Sequence, residues 1–273
     1  MKVYISYEVA GAMCVASPVA KSDERTRRIV TDEVNAAIQG AAGAGADEFL
    51  VNTGCPDCDY IDLDRIDPRA EVIVGMWKPD QTMAGIDESF GALFVMSMHA
   101  KARTPRAVCA HSWDLDIYDY RVNGRSIGEL GMAAYFAADY GVPTALVSGD
   151  AATCREAVEL LGDVEVAPTK ESLSWISARC PHPIKVLSRI SQAAGRAISR
   201  LGSIRPPRLD KPVVVEIDFT KPHLVDWWTC VPTVEANGDC GVRIKAPDYR
   251  AAHRLFVLLS KIQTAFHHES GLA

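Results

Sequence analysis

Apolar stretches of four to seven residues alternate along the chain with longer segments whose apolar positions recur every three or four residues. That alternation predicts an α/β layered fold with a mostly parallel central sheet flanked by helices. Strands are expected at Lys2 to Tyr7, Glu48 to Val51, Glu71 to Gly75, Ala92 to Met98, Pro143 to Ser148 and Val164 to Ala167. Helices are expected from Glu24 to Gln39, where the glycine-rich Gly40 to Gly45 ends the pattern, from Gly128 to Tyr140, from Gly149 to Leu161 and from Pro183 to Leu201. Asn123-Gly124, between Tyr118–Val122 and Arg125–Ile127, is a strong signal for a tight hairpin.

Three prolines between Ser203 and Pro212 have the composition of a linker. They divide the chain into an α/β catalytic-type domain, 1–204, and a smaller α+β C-terminal lobe, 205–273. That lobe should hold strands at Val213 to Phe219 and Gly241 to Ala246, a helix-like His223 to Trp228, and a final helix from Asp248 to His267.

The 273 residues, 48% of them hydrophobic, suffice for one large core or for a core plus a small second unit. The longest apolar run, near Val142 to Val147, is far too short to span a bilayer, and the first strand begins at once. A cytoplasmic protein is expected. The net charge of -6 and the scattered basic residues give no footprint for nucleic acid, and Arg25 to Arg28 read as a solvated helical face. Eight cysteines without a secretion pattern are expected as free thiols, with Cys154 and Cys180 as small buried hydrophobes in helices. Cys55-Pro56-Asp57-Cys58 could hold zinc or cycle between thiol and disulfide, but no second closely spaced pair completes a four-thiolate site.

Candidate chemistry gathers where strands end and helices begin. His99 follows an apolar strand, His111-Ser112 lies in the next loop, and Glu129 opens a helix inside Gly128-Glu129-Leu130-Gly131. Alone, each has an ordinary reading: a hydrogen-bonded core histidine, a loop residue, or an acid favouring a helix N-terminus.

Together with Glu24-x-x-Arg27-x-x-x-Thr31-x-Glu33-x-Asn35, Val51-Asn52, Gly91-Ala92-Leu93-Phe94, Thr104-Pro105 and Val147-Ser148-Gly149-Asp150, these motifs resemble the DppA-type D-aminopeptidase family of zinc metallopeptidases over nearly the whole chain. The resemblance implies a hydrolase with two zinc ions. Their ligands would be an Asp-x-Glu pair after the first strand, a histidine in an Asn-Asp-x-His turn, a histidine before alanine, and the glutamate of Gly-Glu-Leu-Gly. A further histidine is catalytic.

Carried over, His99, Glu129 and the catalytic His111 are intact, whereas the acidic pair reads Glu8 and Ala10, and the turn reads Asn52-Thr53-Gly54-Cys55. Ala10 removes one carboxylate arm. Glu8 extends the other by a methylene, and Cys55 replaces imidazole with thiolate, still a good zinc ligand. Glu8, Cys55, His99 and Glu129 are therefore the expected ligands of one zinc rather than two, with Asn52 beside the substrate.

The expected activity is hydrolysis of a small peptide or amide. Two alternatives stand beside it: a metal-free amidohydrolase with Cys55 as nucleophile activated by His111, and a silent member that only binds a small ligand. The resemblance also implies a homo-oligomer, of the kind that forms a ring-based decamer.

Overall fold

A computed structural model describes residues 1–17, 23–53, 60–75 and 77–270. The elements follow in the order β1 (Lys2–Tyr7), α1 (Glu24–Gly43), β2 (Glu48–Thr53), β3 (Ala70–Ile73), β4 (Phe90–Met98), β5 (Ile117–Val122), β6 (Arg125–Ile127), α2 (Glu129–Ala138), β7 (Thr144–Asp150), α3 (Ala151–Leu161), β8 (Glu165–Ser174), β9 (Ser177–Arg179), α4 (Pro183–Ser199), β10 (Val213–Phe219), α5 (His223–Trp228), β11 (Val234–Ala236), β12 (Gly241–Ala246) and α6 (Tyr249–Ser270). The expected elements are present, with ends shifted by a few residues. The β8–β9 hairpin and β11 add to them, because Pro168 and the polar run after it obscure a strand that pairs with β7.

β1 lies inside a seven-stranded sheet of order β3-β2-β1-β4-β7-β8-β9, next to its middle strand β4, and the sheet is parallel except for the last pair. Its side chains alternate, as a strand buried on both faces requires. Val3, Ile5, Ala92, Phe94 and Met96 face a core shared with α1 and α4, whereas Tyr4, Leu93 and Val95 face the other core. On that second side α2 packs on β4 and on α6, and α6 packs in turn on β10 and β12. The apolar run of the final helix is spent inside the chain: Phe256, Val257 and Leu259 are buried, and Leu258 points outward.

The second sheet is antiparallel, in the order β11-β12-β10-β5-β6. Its strands come from both sides of the proline-rich stretch, with β10 pairing to β5 through Val215↔Val122 and Ile217↔Tyr120. The strands after residue 205 thus complete a sheet begun by the β5–β6 hairpin instead of standing as a sheet of their own. At the hairpin turn Asn123 and Gly124 both take positive φ, 48° and 79°, which explains the Asn-Gly choice. Cys154 is buried in α3, but Cys180 is exposed between β9 and α4, contrary to the helical reading, because Pro181 and Pro183 delay the helix to Pro183.

Candidate metal centre

Strand order reverses at β1, with β2 on one side and β4 on the other, and the crevice beyond the carboxyl ends of strands at such a point is where open α/β sheets keep their ligands. Glu8 leaves β1 there and His99 leaves β4. Two glycines make the approach possible. A Cβ on Gly149 of β7 would sit 2.1 Å from the Met98 carbonyl oxygen, and one on Gly11 2.0 Å from the same atom. The backbone immediately before His99 is therefore wedged between two residues that carry no side chain.

The loop from His99 to Trp113 is pinned at several points. The His111 amide donates to the Ala100 carbonyl, the Ala102 amide to Ser112 Oγ, the Val108 amide to Asp150 Oδ2, and the Cys109 amide to the Trp175 carbonyl. Asp150 also caps α3 by accepting from Thr153. Ser97, Arg103, Arg106, Cys109 and Trp113 all have positive φ. Non-glycine residues pay about 1–2 kcal/mol each for that region, a concentration of strain typical of functional loops.

His99, His111 and Glu129 meet at the end of this loop, with one candidate ligand atom from each lying within 4.8 Å of the others. The imidazoles stack at 3.8 Å with 17° between their planes. His99 Nδ1 lies 3.1 Å from the Ala100 carbonyl and His111 Nδ1 lies 2.6 Å from the Cys109 carbonyl, contacts that place a proton on each Nδ1 and leave each Nε2 with its lone pair. Those lone pairs face Glu129 Oε1, at 3.2 Å from His99 Nε2 and 3.9 Å from His111 Nε2. Oε1 accepts from the Trp113 amide at 2.8 Å.

Although His99 Nε2 is close to the carboxylate, the direction is poor and the buried atom has no hydrogen-bond partner. Two electron-rich atoms so placed need a cation or a proton between them. Without a metal the proton fills that need: burial opposes a charged His99, but Glu129 outweighs it and lifts the ring to about 9. Burial likewise works to raise Glu129, yet His99 and His111 hold it at about 2. His111 is pushed below its usual value by burial and then by the charge of His99. Imidazole nitrogen and carboxylate oxygen are donors that suit zinc, and of the two imidazoles His99 lies closer to Glu129 Oε1 than His111 does.

The other expected residues fall differently. Glu8 lies outside the trio; its carboxylate folds back to accept from the Val9 and Ala10 amides, while its charge still acts on both histidines. Cys55 lies outside the described residues. Asn52 is completely buried, donates to Tyr4 Oη and the Gln81 carbonyl, and accepts from Lys78 Nζ, so its amide is engaged inside the fold. Ala10 joins Val108 and Cys109 in a small apolar cluster.

Two residues that support the site had no expected role. Lys170, almost fully buried, donates to the Ala10, Ala12 and Val15 carbonyls, and Glu33 accepts from the Met13 amide and Ser97 Oγ. Together they hold the turn after β1. Glu33 was visible as part of the α1 motif, but a lysine in the middle of β8 carried no signal.

The family model for peptidase M55, D-aminopeptidase, matches residues 1–258. The chain belongs to peptidase family M55. This M55 chain is 29% identical over 269 residues to a D-aminopeptidase of Bacillus subtilis (strain 168), covering 96% of this chain and 97% of the relative. Its fold matches a solved structure described as the Zn-dependent D-aminopeptidase DppA from Bacillus subtilis, a self-compartmentalizing protease. There the TM-score is 0.91 at 27% identity, with 96% of this chain and 97% of the other covered. The M55 family is one of hydrolases, aminopeptidases that act on D-amino acids with zinc. No helix among the described residues of the M55 chain is long and apolar enough to cross a membrane.

Proposed function

We propose that this chain is a zinc-dependent hydrolase of short peptides or amides with a D-amino acid at the amino end, working with one metal ion instead of two. One observation carries the reading: the buried His99 Nε2 faces the Glu129 carboxylate at 3.2 Å without a well-directed hydrogen bond, with the His111 ring stacked beside it. In this reading His99 and Glu129 hold the ion, Glu8 and Cys55 complete its ligand set, and His111 moves the proton. The apolar company of Ala10, where a second carboxylate arm would be needed, supports the single ion.

Zinc held there would supply a Lewis acid, polarising the scissile carbonyl and bringing the pKa of water down to about 7. The protein's own part is positional. With Nδ1–H committed to the Cys109 carbonyl, His111 offers Nε2 to take a proton from the attacking water and return it to the leaving amine. The Ala100 carbonyl fixes the His99 tautomer in the same way, and the Trp113 amide orients the Glu129 carboxylate.

A self-enclosing homo-oligomer belongs to the same reading. The solved relative is described as self-compartmentalizing, and Leu173, Trp175, Ile176 and Ile184 present exposed apolar surface around the β8–β9 hairpin. A monomer by light scattering would defeat this part.

The test is elemental analysis of zinc-loaded, desalted protein beside turnover of D-aminoacyl amides. One zinc per chain is expected, lost in His99→Ala. The His111→Ala protein should keep its zinc while losing activity by roughly 10²–10⁴-fold. If the wild type takes up no zinc, or if His111→Ala abolishes uptake, the assignment fails.

A further inference from the structure

The β8–β9 hairpin carries a thiol to the turn that follows β1. Its register, Glu171↔Arg179, extends by one step to set Cys180 opposite Lys170, with both side chains on one face of the hairpin. Lys170 Nζ reaches from that face to the carbonyls of Ala12 and Val15, which bracket Cys14. The Cys14 thiol is close enough to Cys180 for the two to act on each other. Both are free and reachable, Cys180 exposed and Cys14 partly so, whereas Cys109 and Cys154 are buried. Burial and then the neighbouring Cys180 push the Cys14 thiol up against the smaller pull of Arg25, whereas the Lys170 ammonium lies near the exposed Cys180. An exposed thiol beside positive charge is the reactive kind, which makes Cys180 the one to attack first and Cys14 the one to resolve.

We propose that Cys14 and Cys180 form a reversible disulfide that tethers the turn carrying Glu8 and Ala10 to the β9–α4 junction, with a small-molecule disulfide as oxidant. The exposed Cys180 thiolate attacks the oxidant, forming a mixed disulfide and releasing one small thiol. Cys14 then displaces the second small thiol, forming the protein S–S bond. Two protein thiols lose two electrons and two protons, and the oxidant gains both in becoming two thiols. The link closes a long loop, from residue 14 to residue 180, so it restricts the unfolded chain strongly. It also makes the position of the Glu8 turn depend on the thiol poise around the protein. The inference rests on the two thiols and stands apart from the metal reading.

The experiment treats zinc-loaded protein with oxidised glutathione, blocks the remaining thiols and maps tryptic peptides without reduction. Cys14 falls in the peptide 3–21, Cys180 in 180–185, and Cys55 with Cys58 in 29–65, so each pairing is separately assigned. Expected are a 3–21/180–185 cross-link, its loss with dithiothreitol, and a Tm higher by about 5–10 °C in the oxidised form. In Cys14→Ser, Cys180 should retain the glutathione adduct, because the resolving thiol is gone. Cross-linking of either cysteine to another partner, or both remaining free while Cys180 stays unmodified, would overturn the proposal.

Discussion

Replacing Gly149 with alanine tests how the fold sets His99. The added Cβ would lie 2.1 Å from the Met98 carbonyl oxygen, where contacts under 3.0 Å are essentially never seen, and Thr153 Cβ at 3.1 Å blocks retreat on the other side. The Met98 carbonyl must therefore recede by about 1 Å, carrying His99 with it, and a misplacement of that size costs a catalytic site roughly 10²-fold. Overpacking of this kind destabilises by about 1–3 kcal/mol, a Tm loss of about 3–10 °C for a chain of this length. Gly43→Ala is the control, since its Cβ would meet nothing within 4 Å and Gly43 ends a helix. That variant should be neutral or slightly more stable. The assay pairs thermal unfolding with zinc competition against a chelator. If Gly149→Ala binds zinc as tightly as the wild type and melts within 1 °C of it, roughly the resolution of such a scan, the wedge does not position His99.

Two further outcomes follow from the residues beneath the site. Burial lifts Glu33 to about 7 against the opposing pull of Ser97, the Met13 amide and Lys170, while its reference value is 4.5. The folded state binds the extra proton between those values, so stability is fully present below pH 4.5 and falls by about 3 kcal/mol as pH rises to 7. Glu33→Gln should flatten that slope, and denaturant titrations at pH 5 and pH 8 that give the same wild-type minus variant difference would refute the assignment. Lys170→Met removes the donor from three carbonyls in the turn after β1 and should cost about 2–4 kcal/mol, read as a lower urea midpoint at unchanged m. A loss under 1 kcal/mol, the size of a single ordinary hydrogen bond, would show that the turn holds itself.

The layered fold was legible because β1, β4 and β7 are short apolar runs set between amphipathic helices, and period and length together separate those two states. Several motif residues turn out to be scaffold. Ser148 Oγ accepts from the Ser97 amide, Asp150 caps α3 while holding Val108, Thr31 accepts from the Asp62 amide, and Asn35 binds the segment from Arg65 to Asp67. His99, His111 and Glu129 could be picked out because the motifs around them resemble the D-aminopeptidase family; alone, each had an ordinary structural reading. The partners of Asn52 were hidden for a physical reason: only the fold reveals that Tyr4, Gln81 and Lys78 bind its amide. The β8–β9 hairpin and Lys170 were hidden because pairing partners distant in sequence, not local period, decide them.

The pairing of β10 with β5 bears on how the chain is born. The hairpin made by residues 117–127 leaves the ribosome with its outer strand β5 open, and the strand that covers it starts only at Val213. At ordinary synthesis rates that interval is about 5–20 s. For that time an adhesive edge stands bare on a nascent polypeptide, a natural occasion for a chaperone to intervene.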